Sequence, residues 1–183
     1  MTRLSRKQQQ GVFAIELVFV LLGLCVFFLF VSDLSHKLLT RSQLDRTSFA
    51  LVNILKERTR YYADVSGDTR IVRYALNDKD NEDMQILAAR MLNVSREQVA
   101  VGIESLVDKQ SQYLSSEVFD RLNCKPATLI KEHGLLIPKK KNEKTYPLYQ
   151  VTLCARHDGW FLPFISNKDG KVLIVSSSVI AGR

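Results

Sequence analysis

Hydrophobic and polar positions divide this chain sharply. From Val12 to Val31, twenty consecutive positions carry only one carboxylate, Glu16, and Phe and Leu dominate the rest. Twenty residues at helical rise cover ~30 Å, the thickness of a bilayer's hydrocarbon core. A helix apolar on every side needs either a large protein around it or lipid, and 183 residues leave room for one ordinary domain beside it. The pattern therefore predicts a membrane span. Beyond it the periodicity changes: Leu44, Ser48, Leu51, Leu55, Arg58 and Tyr62 recur at steps of three and four and share one helical face, while Arg41, Arg46, Lys56 and Arg60 occupy others. No Pro or Gly lies between Leu24 and Ser66. A single helix is thus expected from Val12 to about Tyr62, its second half packed on a domain core.

Ser66-Gly67-Asp68 reads as the helix break, and Asn81-Glu82-Asp83 as a cap with favourable early charge for a second helix. Met84, Leu87, Ala88, Met91 and Leu92 form its apolar stripe. Ser95 to Gln98 has the spelling of a capping box for a single turn, and Val99, Val101 and Ile103 alternate as a strand. Residues 108–147 are mostly polar, with Lys139, Lys140 and Lys141 expected in a solvated loop. Asp158-Gly159 and Asp169-Gly170 are hairpin signals dividing strands near 147–156, 160–165 and 171–180. Pro163 favours an edge position for the middle one. The class expected is α+β: a long helix on a small antiparallel sheet.

Charge adds orientation. Arg3, Arg6 and Lys7 precede the span and no acidic residue stands in the first eleven, so the short tail should face the cytoplasm. The net charge of +7 falls to +4 once these three are set aside, 23 basic residues against 19 acidic. That weak excess gives no reason to expect nucleic acid as a partner. The apolar run is too long for a secretory signal, and Phe30 spoils the small-residue spacing that Ser32 would need for cleavage.

Candidate chemistry is sparse. Cys25 lies in the span as a small hydrophobe. Cys124 and Cys154 fall in the part expected to face an oxidising compartment, where a disulfide and two separately buried thiols are both open readings. His36, His133 and His157 are scattered, and no spacing suggests a metal site, a cofactor site or a catalytic triad. Gly102 and Gly134 belong to no phosphate loop. Asn93-Val94-Ser95 is a sequon by spelling alone. No enzyme is expected.

Glu16 remains unexplained by a plain anchor. A carboxylate four residues into an apolar run costs ~2–3 kcal/mol in lipid and calls for a partner. Gly11 marks the boundary between the polar tail and the run. Cleavage after Gly11 would make Val12 the new amino terminus and Glu16 its fifth residue. An α-amino group is largely protonated at neutral pH, so Val12 of one subunit and Glu16 of the next could neutralise each other and set an assembly register.

Gly11, four residues, then Glu16 opening an apolar helix behind a short basic leader resembles the class III signal of type IV prepilins. The longer stretch from Gly11 to Val20, with Val12 rather than Phe first and Leu17 after the glutamate, resembles the minor pseudopilins TadF and TadE of the tight-adherence machinery. Arg46-Thr-Ser-Phe-Ala-Leu-Val-Asn-Ile-Leu-Lys-Glu-Arg58, Pro147-Leu-Tyr-Gln-Val-Thr-Leu-Cys154 and the closing Val175-Ser-Ser-Ser-Val-Ile180 are similar to TadF, with TadE the near alternative. The resemblance implies a leader at 1–11, a transmembrane and assembly helix at 12–32, its continuation at 33–65, and a periplasmic α+β domain at 66–183. It further implies a prepilin peptidase as processing enzyme. The other partners it implies are a TadE-like pseudopilin, further pilin subunits, the inner-membrane assembly platform and membrane lipid, in service of an adhesive pilus. The alternative on the same residues is an uncleaved single-pass adaptor with a periplasmic interaction domain.

Overall fold

The structure, a computed structural model, describes residues 5–61, 63–66, 69–72, 75–137, 145–161 and 171–182. Helix α1 runs without interruption over Ser5–Tyr61. It begins seven residues before the expected start at Val12. Arg6, Lys7 and three glutamines are good helix formers, and the one glycine among them, worth ~1 kcal/mol against helix, does not break it. Tyr62, expected on the apolar face, lies outside the described residues. The helix ends at Tyr61, as expected to within a residue, and around the Ser66-Gly67-Asp68 break Ala63–Ser66 (β1) and Thr69–Val72 (β2) pair as an antiparallel hairpin with Ser66 opposite Thr69.

The chain forms two compact units. One comprises residues up to Leu38 with 158–171, the other Leu39–His157 with 172–183.

The second unit is built on a four-stranded antiparallel sheet of Ala100–Val107 (β3), Gln110–Ser115 (β4), Leu148–Asp158 (β5) and Lys171–Ala181 (β6), in the order β4-β3-β5-β6. Strand β3 pairs both neighbours, with Ile103 opposite Leu114 on one side and Val151 on the other. Alternation sorts the side chains. Val101, Ile103, Tyr149, Val151, Leu153 and Ile174 turn to the face covered by α1 (Leu44, Leu51, Val52, Leu55) and by helix α2, Asp78–Leu92 (Met84, Ala88). Their alternates Ala100 and Cys154 meet Val118 and Phe119 of the short helix α3, Glu117–Arg121, together with Cys124. Further along the same face, Leu106 and Leu148 enclose Ile130. With both faces covered, every residue of β3 but the last is buried. Gly102 is required there: a Cβ would stand 2.8 Å from the Phe119 ring.

Polar groups fix how α1 seats. The Ser48 hydroxyl, buried on the sheet side, lies 3.0 Å from that of Ser176 and 2.7 Å from that of Ser178. Arg58, also buried, forms an ion pair with Asp80 and donates to the Ala75 carbonyl at 3.1 Å. Asp80 in turn belongs to the capping box of α2, accepting from the Asn77 N–H at 2.8 Å while Asn77 accepts from the Asp80 N–H at 3.0 Å. The cap of α2 is therefore Asn77 and not Asn81, because starting one turn earlier brings Asp80 to Arg58. Of the expected stripe, Met84 and Ala88 are buried, but Met91 is 48% exposed. Ser95 and Gln98 close their capping box around a single 3-10 turn as expected. Asn93, the sequon residue, ends α2 in the left-handed conformation at φ 54°.

The polar stretch 108–147 carries more structure than its composition indicated: β4, α3 and a 3-10 segment, Ile130–Leu136. Lys139, Lys140 and Lys141 lie outside the described residues. So does most of the strand expected at 160–165, but Trp160 and Phe161 form a bend rather than a strand.

Candidate processing and assembly segment

The first unit carries the segment that the sequence singled out. Gly11, Val12 and Glu16 all lie on the continuous α1, and positions 12 and 16 are one turn apart on a single helical face. Glu16 is exposed, and among the described residues it has no hydrogen bond or ion pair. Around it Phe13, Ile15 and Leu17 are 67, 61 and 46% exposed. Every large apolar side chain from there to Val31 is exposed, and α1 is long and apolar enough to cross a membrane. An exposed patch of this extent far exceeds what a soluble monomer presents to water. A carboxylate is costly within such a band.

The remaining candidates do not converge on a reaction centre. Cys25 is an exposed member of the apolar band. His36 stands beside Trp160, His133 lies in the 3-10 segment, and His157 is near the end of β5. Among the described residues no three His, Cys, Asp or Glu side chains gather as a metal site. Cys124 and Cys154 do come together, with Cα atoms 6.4 Å apart, inside the range a disulfide spans.

Among the described residues, Glu104 is the one buried carboxylate on the sheet's α3 side. Burial pushes its pKa up, partly opposed by the Ile130 N–H that it accepts at 3.3 Å. Opposite it on β4, Tyr113 is also raised, mainly by burial, then by the nearby charges of Asp120 and Glu104 against a hydrogen bond from Ser115. On β5 its partner is Gln150, whose amide donates to the Thr128 carbonyl at 2.9 Å. These groups hold the 128–130 strand of chain against the sheet. They present no nucleophile to a substrate.

What sequence reasoning missed lies in the first unit. Trp160 and Phe161 return to α1: the Trp160 N–H donates to Asp33 at 3.1 Å, its ring lies 6.1 Å from that of His36, and Phe161 meets Phe30 edge-on at 5.1 Å. The aromatic pair directly after the Asp158-Gly159 turn was the available signal, read instead as the start of a strand.

A long helix, apolar and exposed on all sides in its first half and packed on an antiparallel sheet by its second, is the build of a pilin-type membrane subunit. The chain belongs to the TadF family, whose description is "Putative tight adherence pilin protein F" and whose model matches residues 5–183. It is thus a pilin protein of the Tad pilus system, with a structural character. No curated protein and no solved structure matches the chain.

Proposed function

We propose that this TadF-family protein is a minor pseudopilin cut after Gly11 by a prepilin peptidase, and that it supports the initiation, priming or capping of an adhesive Tad pilus. The observation that carries this reading is Glu16, an exposed carboxylate without a partner among the described residues, four residues past Val12 in a band otherwise apolar. The α-amino group freed at Val12 supplies the missing counter-charge on a neighbouring subunit. Such a pair, shielded by lipid or by packed helices, fixes axial register as well as neutralising both charges. Gly11 is the weakest helix former at the junction of tail and span, which suits a site where a peptidase must open the backbone.

In this reading the basic tail is cytoplasmic and the domain periplasmic, where Cys124 and Cys154 are oxidised. The protein works beside a TadE-like pseudopilin, other pilin subunits and the assembly platform, and it catalyses nothing itself. Mass spectrometry of the amino terminus, on protein from its own host's membranes, tests the reading. A start at Val12 that is lost in Gly11→Ala is expected. A start at Met1 or Thr2 with the peptidase active would leave an uncleaved anchor instead. A second variant separates processing from assembly: Glu16→Ala should still be cut yet fail to support piliation.

A further inference from the structure

We propose that Trp160 and Phe161 form an interfacial anchor, seated in the lipid headgroup layer at the Val31 end of the α1 span. The inference rests on the reading of α1 as a membrane helix, and its substance is the depth at which a second piece of chain meets that membrane.

Helical rise sets the depth. The apolar run ends at Val31; Asp33 and His36, which Trp160 touches, stand ~3 and ~7.5 Å beyond it along the axis. The headgroup region on each side of a bilayer is ~5–8 Å thick, the difference between total and hydrocarbon thickness shared by two leaflets. Trp160 is thus placed within that layer, and Phe161, edge-on to Phe30 at 5.1 Å, sits at the outer edge of the hydrocarbon. Tryptophan suits this layer because its ring is apolar while its N–H needs a polar partner.

Two further features match lipid rather than water. Trp160 is 63% exposed, so the protein itself leaves most of its apolar ring uncovered. Its backbone N–H, which would be costly to bring near an apolar layer unsatisfied, is already donated to the Asp33 carboxylate at 3.1 Å. Phe30 is likewise 44% exposed beside Phe161, so the aromatic surface is continuous with the lipid-facing band. The anchor would oppose sliding of α1 along the membrane normal, because moving the helix inward drags Asp33 and the Trp160 segment into hydrocarbon.

Trp160 is the sole tryptophan of the chain, so its emission reports this site alone. The full chain is reconstituted in phosphatidylcholine–phosphatidylglycerol vesicles, with lipids brominated either near the glycerol end or near the methyl end of the acyl chains. Trp160 should be quenched strongly by the first, weakly by the second, and little by aqueous iodide. Trp160→Phe combined with Leu22→Trp moves the reporter to the middle of the span, ~13.5 Å in from Val31 by helical rise, where methyl-end bromines should quench it most. If the span reporter is quenched and Trp160 is not, the anchor is overturned while the membrane helix stands. In that case strong iodide quenching would mean that Trp160 faces water, and protection from both quenchers would mean a protein partner, such as a second copy, covers it. If neither reporter is quenched by lipid, the membrane helix itself is refuted and the anchor falls with it.

Discussion

The two halves of α1 are equally helical and equally free of proline, yet they are built for different surroundings. Between Phe13 and Val31 the side chains are apolar on every face and none of the large ones is covered by protein. Between Leu44 and Arg58 one face is packed by the domain, where Leu44, Leu51, Val52 and Leu55 are at most 1% exposed, while Phe49 and Ile54 on other faces are 60 and 42% exposed. Polar residues behave oppositely as well. In the second half Ser48 and Arg58 are buried and paired within the chain; in the first, Glu16 is exposed and has no partner among the described residues. The contrast shows that hydrophobic content decides little unless its angular distribution is read with it. A stripe declares a core made by the same chain, whereas a full circumference declares a partner or solvent that the chain does not contain.

The sharpest way to break this comparison is to remove a charge from the buried half. Arg58→Ala removes the cation facing the buried Asp80 carboxylate, which should cost ~3–5 kcal/mol of domain stability. Urea titration of the full chain in detergent, followed by circular dichroism, measures it; a loss below 1 kcal/mol by the same scale would mean the pair is solvated. Next, Leu51→Ala and Leu21→Ala delete the same atoms from the two halves. The first should lose ~2–5 kcal/mol through its cavity. The second should leave the domain transition where it was, since Leu21 touches none of the core; an equal effect of the two would unite the halves.

Third, the Cys124–Cys154 loop of 30 residues should contribute ~3–4 kcal/mol if closed, by the loop-entropy relation. Cys124→Ser/Cys154→Ser, compared with reduced wild type, checks it, and equal midpoints for oxidised and reduced wild type would show that the bond contributes nothing. The smallest effect should come from Glu104. Its pKa is raised in the folded protein by burial, so the folded state binds the proton more tightly than the unfolded chain does. The stability that protonation contributes is complete below the ordinary carboxylate range and is lost as pH rises through the elevated value. Glu104→Gln should flatten that part of the pH profile and raise stability near neutrality. An unchanged profile would show that other groups govern it.

The stripe on α1 was legible because a helix buries a face at a period that neighbours in sequence record. Strand β4 was not. Its turn, Asp108-Lys109, takes positive φ at both positions, 46 and 68°, without glycine, and its edge residues Gln110 and Ser111 are exposed. Neither a turn residue nor an alternation announced it. The cap of α2 was misplaced for a related reason: Asn77 and Asn81 are locally equivalent as caps, and the ion pair from Arg58 chooses between them. Gln112 reinforces that choice by bonding both the N–H and the carbonyl of Leu76, at 2.9 and 2.7 Å. Gly11, Val12 and Glu16 were singled out by local spacing alone, while Trp160 was taken for part of a strand.

By itself, then, the sequence determined the span, its charged flanks, the core face of the helix and the family signature, since each is written in residues close together in the chain. Tertiary structure alone decided that β3 is buried on both faces, that Phe119 rides over Gly102, that Cys124 meets Cys154, and that Trp160 returns to Asp33, more than a hundred residues away. Such meetings depend on strand register and on where distant segments come to rest, and no local periodicity carries that information.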